Sequence, residues 1–177
     1  VYRCAGDVGT TVEDLFKVKD ATDYVAGISL DSSLPTALGT YTSIKALLKR
    51  DKLKTKDQTC TVQGLGKVGK HLVNMLEGKI EAYDPFVTDL EGVTCIEENN
   101  LLNGEFFVPC ALGGSLNGFS LASIKSKYVC GSANNIFGSR KDILTAHDMG
   151  IKYIPDFIAN CGGVVAVALD FKKKDYK

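Results

Sequence analysis

A helical rhythm of apolar positions is clearest between residues 37 and 49. Leu38, Tyr41, Ile44, Leu47 and Leu48 recur at the spacing of one helix face, so a helix is expected over 37–49, with Pro35 and Thr36 just ahead of it. Upstream, residues 1–35 are mostly polar and rich in turn formers, apart from a short apolar run at 25–28 that suits a strand. Downstream, apolar runs and amphipathic stretches alternate. Strands are expected at 59–63, 80–83, 93–96, 106–109, 128–130 and 152–154, and helices at 68–76, 121–125, 141–149 and from about 163 onward. Short apolar strands separated by helices signal an α/β fold, a doubly wound and mostly parallel sheet covered on both faces.

Composition narrows the picture a little. With 177 residues, 45% hydrophobic and 24% charged, the chain suits one well-packed globular domain and part of a second. Lys plus Arg equals Asp plus Glu at 21 each, which gives no support to a nucleic-acid binder. No apolar run is long enough to cross a bilayer, and residues 1–6 lack the basic and apolar regions of a leader, so no membrane partner and a cytoplasmic location are expected. The six cysteines are widely separated, and Cys60, Cys95 and Cys130 lie in strand-like runs. Buried free thiols in a reducing compartment are expected, with a disulfide framework or a zinc site as the alternatives. Both histidines, His71 and His147, sit in expected helices and cannot build a multi-histidine metal site, so no metal is expected.

The chemistry concentrates in residues 59–84, CTVQGLGKVGKHLVNMLEGKIEAYD from Cys60. Gly64, Gly66 and Gly69 keep the G-x-G-x-x-G spacing directly after an apolar strand and at the start of a helix. The first glycine permits a tight turn, the second removes a side chain where a diphosphate must approach, and the third lets helix and sheet pack closely. Backbone N–H groups at the helix start, from Lys67 and Val68, then face the phosphates. The Lys67 side chain has two readings, solvent-facing or reaching phosphate. Asp84 stands twenty residues beyond Gly64, at the end of the second strand, where a carboxylate accepts hydrogen bonds from the adenosine ribose hydroxyls. It would repel a 2′-phosphate, and the following Pro85 and Phe86 supply no cation, which favours NAD over NADP as cofactor. The fold class is therefore Rossmann-like.

Three more loops follow strands: PCALGG from Pro109, CGSANN from Cys130 and PDFIANCGG from Pro155. Ligands of such sheets bind at the carboxyl ends of strands, and small residues with amides can approach a cofactor closely. Each loop alone can also be read as turn chemistry.

Taken in order, GDVGTTVEDL from Gly6, DYVAGIS from Asp23, PTALGTY from Pro35, GLGKVG from Gly64, PCALGG, GSANN and PDFIANCGGV resemble the leucine, phenylalanine, valine and glutamate dehydrogenase family, particularly its leucine/phenylalanine branch. The resemblance runs through almost the whole chain, which covers about half of a family member. It implies NAD-dependent oxidative deamination of a branched-chain or aromatic L-amino acid to a 2-oxo acid and ammonia. It implies Asp7 as the catalytic aspartate assisting proton transfer. Thr36 matches a threonine beside the cofactor and substrate cleft, Cys110 and Ala111 fall in a cofactor-facing loop, Ala133 and Asn134 match the nicotinamide-side loop, and Asn160 matches an asparagine near nicotinamide and substrate. It divides the chain into residues 1–35, a remnant of the substrate domain with its hinge, and 36–177, the NAD-binding domain.

Two departures qualify this. Family members carry two catalytic lysines well before the position of Asp7, and no lysine precedes Asp7 here. The segment between Asp84 and Pro109 is also short, 24 residues, where the family holds a longer helix and strand. Its loss is expected to weaken the adenine-side wall and to leave one sheet face less covered, open to a partner. The chain then reads as part of a larger or split oligomeric enzyme, with the lysines supplied by a companion chain or by sequence missing from this one, or as a non-catalytic NAD-binding, regulatory or structural descendant.

Overall fold

The computed structural model describes residues 2–6, 9–28 and 31–175, with side chains through 169. Alternation along the strands sets the layers. In β1 (Thr59–Gln63) and β4 (Phe106–Pro109), Cys60, Val62, Phe106 and Val108 point into one core, shared with Ile44, Leu47 and Leu48 of α2 (Ser33–Arg50) and Leu72 and Val73 of α3 (Lys67–Val73). Phe107 points the other way, into a second core with Leu116, Ile136 and Ala146, the last from α5 (Arg140–Asp148). With β2 (Lys79–Tyr83), β3 (Thr94–Cys95), β5 (Tyr128–Val129) and β6 (Lys152–Tyr153), the strands form one six-stranded sheet in the order β3-β2-β1-β4-β5-β6. Every pairing is parallel, with Thr59 opposite Lys79 and Cys60 opposite Phe106 around the central strand. The expected doubly wound α/β sheet is the observed one. Strands 59–63 and 106–109 match residue for residue.

The differences have local causes. Helix α2 starts at Ser33, earlier than expected, because a proline in the first turn has no intrahelical N–H partner to lose. The short α4 (Gly118–Leu121) precedes the expected 121–125 segment. Asn117 Oδ1 accepts from the amides of Phe119 and Ser120 at 3.0 and 3.3 Å, and Ser120 Oγ accepts from the Asn117 amide. The expected strand at 25–28 reduces to a single bridge between Cys4 and Val25.

Helix α1 (Val12–Ala21) was not expected in the polar 1–35 segment. No helix lies between β2 and β3. There Val87, Leu90 and Val93 of the connecting loop pack against the first core, so the loop itself partly covers the sheet face expected to be less covered. The remaining helices, α6 (Asp156–Ala159) and α7 (Gly162–Asp175), close the chain beside α2. All six cysteines are free, with Cys60 and Cys130 buried, and burial pushes both thiols up to about 12.

Candidate functional site

The strand order reverses between β1 and β4, and in such sheets the crevice outside the carboxyl ends at this point receives the ligand. Each loop singled out in the sequence leaves a strand at this end. The glycine loop between β1 and α3 is built for tight contact. Gly64 has φ +95°, a left-handed conformation, and a Cβ there would stand 2.9 Å from the Ala111 Cβ. A Cβ on Gly69 would meet the Gly64 carbonyl oxygen at 2.0 Å, so the third glycine lets the first turn of α3 fold back on the loop itself. Gly66 differs, because a Cβ there meets nothing within 4 Å. No side chain caps α3, so its first amides face open space beside Gly66. This is the arrangement that accepts a diphosphate. Lys67 is exposed and Val68 half-buried.

Asp84 follows β2 and ties its end to this loop. Its Oδ2 accepts from the Leu65 amide at 2.7 Å and its Oδ1 from the Phe86 amide at 2.9 Å. A carboxylate offers about four lone-pair sites, so capacity remains for a ribose diol. Beyond it, at the ends of β2 and β3, lies a cavity of about 580 Å³ lined by Tyr83, Asp84, Pro85, Val87 and Ile96 among others. It lies beside the connection between β2 and β3, which contains no helix.

From the glycine loop a chain of contacts crosses the sheet end. The Cys110 amide donates to the Gln63 carbonyl at 2.7 Å, and the Ala133 amide to the Pro109 carbonyl at 3.0 Å. Asn160 donates through Nδ2 to Asn134 Oδ1 at 2.6 Å and to the Ser132 carbonyl at 3.2 Å. The path ends at α2: a Cβ on Gly162 would stand 2.0 Å from the Pro35 carbonyl oxygen, and Thr40 Oγ1 donates to the Ala159 carbonyl at 3.2 Å. Thr36 lies in the first turn of α2, its hydroxyl donating to the Ser32 carbonyl at 2.7 Å. Nearby, the Ser33 amide holds the Asp31 carboxyl below its ordinary value, with smaller contributions from the charges of Lys67 and His71.

The structure thus gathers Ala133, Asn134, Asn160 and Thr36 on one side of the glycine loop, and places Asp84 on the other. Asp7 lies outside the described residues. The sequence reading missed Asp156, whose Oδ2 accepts from the Asn135 amide at 2.6 Å and holds that residue at φ 51°. Its position in the first turn of α6 was the available signal. Among the described residues no cluster of His, Cys, Asp or Glu is suited to a metal, and no helix is long and apolar enough to cross a membrane.

Known proteins share this arrangement. The family model for glutamate/leucine/phenylalanine/valine dehydrogenase matches residues 76–176. Leucine dehydrogenase of Bacillus cereus is 36% identical over 94% of this chain and 51% of its own length. Phenylalanine dehydrogenase of Lysinibacillus sphaericus is 35% identical over 92% of this chain and 49% of its own. The crystal structure of L-tryptophan dehydrogenase from Nostoc punctiforme superposes with a TM-score of 0.80 at 28% identity, covering 96% of this chain and 53% of that one. The chain spans about half the length of the curated relatives it matches. It belongs to the glutamate/leucine/phenylalanine/valine dehydrogenase family, and the part in hand is an oxidoreductase domain of the NAD-binding type.

Proposed function

We propose that this chain is the NAD-binding half of an enzyme that oxidatively deaminates a branched-chain or aromatic L-amino acid to a 2-oxo acid and ammonia. Residues 36–177 form the cofactor domain and 1–35 the remnant of the substrate domain and hinge. The observation that carries this reading is the unbroken run of contacts from the glycine loop through Ala111, Ala133 and Asn160 to the start of α2. The residues fit the cofactor: the open space at Gly66 and the uncapped amides of α3 suit its diphosphate, and Asp84 suits an adenosine ribose that lacks a 2′-phosphate. Cys110, Ala111, Ala133 and Asn134 would line its path, with Thr36 and Asn160 at the nicotinamide end. NAD, when bound, supplies the hydride acceptor. The chain's own share is orientation by Asn134 and Asn160 and assistance to proton transfer by Asp7.

The lysines that would anchor and deprotonate the amino acid belong, in this reading, to a substrate domain carried either by a companion cytoplasmic polypeptide or by sequence outside these 177 residues. Its docking face is offered by α2, α6 and α7, which pack on one another and expose Leu34, Leu38, Phe157, Ile158, Val164 and Val165, each at least 49% accessible. Titration calorimetry with NAD and NADP tests the cofactor reading. NAD is expected to bind more tightly, with Asp84→Ala narrowing the gap; absence of NAD binding would sink it. Mixing the chain with a lysine-bearing substrate domain is expected to produce NADH from L-leucine or L-phenylalanine, and the chain alone to produce none.

A further inference from the structure

At the opposite end of the sheet lies a second cavity, of about 610 Å³, between the last turns of α2, the turn that follows and Glu77 beyond α3. Its volume falls in the range of small-ligand sites. Lys45, Lys49, Lys52 and Lys54 line it; all four are exposed, and none is ion-paired among the described residues. Glu77 is the one carboxylate on the wall. Residues 45–56 hold six of the chain's 21 basic residues and a single acid, Asp51, which is already engaged by Lys152 and Tyr128.

A solvated helix end would account for some of this charge, since cations near a helix C-terminus offset its dipole. That dipole amounts to about half an elementary charge, far less than four lysines carry. The turn adds a separate observation. The amides of Lys52 and Leu53 close α2 onto the carbonyls of Lys49 and Leu48, and Lys52 occupies the left-handed position with φ 61°. Glycine or asparagine is the usual occupant there, and here the position puts a lysine side chain on this wall. The cavity is also not purely polar. Lys45 Nζ sits 5.2 Å from the centroid of the Tyr41 ring, and half-buried Leu53 adds apolar surface.

We propose that this cavity binds a nucleoside polyphosphate, its phosphates on the lysines and its base against Tyr41 and Leu53, independently of the dinucleotide loops. A concave site of this size with an aromatic wall fits a compact anion better than an acidic protein surface or a nucleic-acid strand.

The test is calorimetric titration of the chain with ATP, with and without saturating NAD. ATP is expected to bind in both cases, inorganic tripolyphosphate more weakly, and adenosine hardly at all. Lys49→Gln/Lys52→Gln and, as a second pair, Lys45→Gln/Lys54→Gln are each expected to weaken ATP by about tenfold or more, with the melting temperature and the NAD affinity unchanged. ATP binding that vanishes under saturating NAD, that survives both pairs of substitutions, or that is outmatched by polyglutamate or single-stranded RNA would overturn the proposal. If the chain binds no NAD at all, the cofactor reading fails on its own, and the ATP titration of the two variants still decides this one.

Discussion

Gly69 is where the proposed cofactor reading joins stability to binding in one residue. The space its missing side chain leaves is filled by a backbone atom, the Gly64 carbonyl oxygen, at 2.0 Å from where a Cβ would stand. Backbone cannot swing aside as a flexible side chain can, so Gly69→Ala must move either the loop or the start of α3. Overpacking of this kind typically costs about 1–3 kcal/mol. The expected result is a lower denaturation midpoint together with a large loss of NAD affinity, both read on the same purified variant. Gly66→Ala is the informative partner, because its Cβ meets nothing within 4 Å. That variant should fold as the parent does and lose affinity alone. Equal destabilisation by the two substitutions would show that open space at Gly66 is not reserved for a ligand.

At the scale of elements, legibility in the sequence followed the kind of signal each element carries. β4 is a run of apolar residues buried throughout, and β1 buries Cys60, Thr61 and Val62 between half-buried ends; Gly64 after β1 and Glu105 ahead of β4 made those limits readable. The glycine spacing could be placed because strand, loop and helix had to occur in that order. Helix α1 was missed although its start was written in the sequence: Thr11 Oγ1 accepts from the Asp14 amide at 3.2 Å, and Asp14 Oδ2 accepts from the Thr11 amide at 3.0 Å. Its only buried residue is Leu15, so no strong apolar stripe advertised it. The contacts that assemble the site were not legible either, since the Asn134–Asn160 and Asp156–Asn135 pairs join loops 21 or more residues apart. Thr11→Ala should cost about 1 kcal/mol, confined to α1. Hydrogen exchange is expected to quicken for the α1 amides and to stay unchanged in β1 and β4; faster exchange across the sheet would mean that α1 is part of the cooperative core.

Across the whole molecule, α2 is the element that links the two ends of the sheet. Its first turn carries Thr36 beside the dinucleotide loops, and its C-cap, Asp51, lies at the amino ends of β5 and β6. There Tyr128 donates its hydroxyl to Asp51 Oδ2 at 2.6 Å, and Lys152 Nζ donates to the same oxygen at 2.5 Å. The Lys152 ammonium, and after it the Tyr128 hydroxyl, hold the Asp51 carboxyl below its ordinary value of 3.8. A carboxyl whose folded value is depressed stabilises the fold above its unfolded value, and that stabilisation is lost as pH falls through the lower, folded one. Tyr128 behaves in the opposite sense. Its hydroxyl is raised above 10.0, first by the bond to Asp51 and then by burial, so its contribution is present below that value and disappears as pH rises through the folded one. Asp51→Asn removes the first dependence and reduces the second, leaving Tyr128 only what burial contributes. Melting temperature measured against pH should therefore be lower than the parent's near neutrality, and the variant should lose less on acidification below 3.8 and on alkalinisation above 10.0. A variant curve parallel to the parent's at both extremes would show that the tie between α2 and the last two strands is held by packing alone. In that case the position of Thr36 would rest on the contact of α2 with α6 and α7, and the far end of the helix would have no electrostatic part in setting the site.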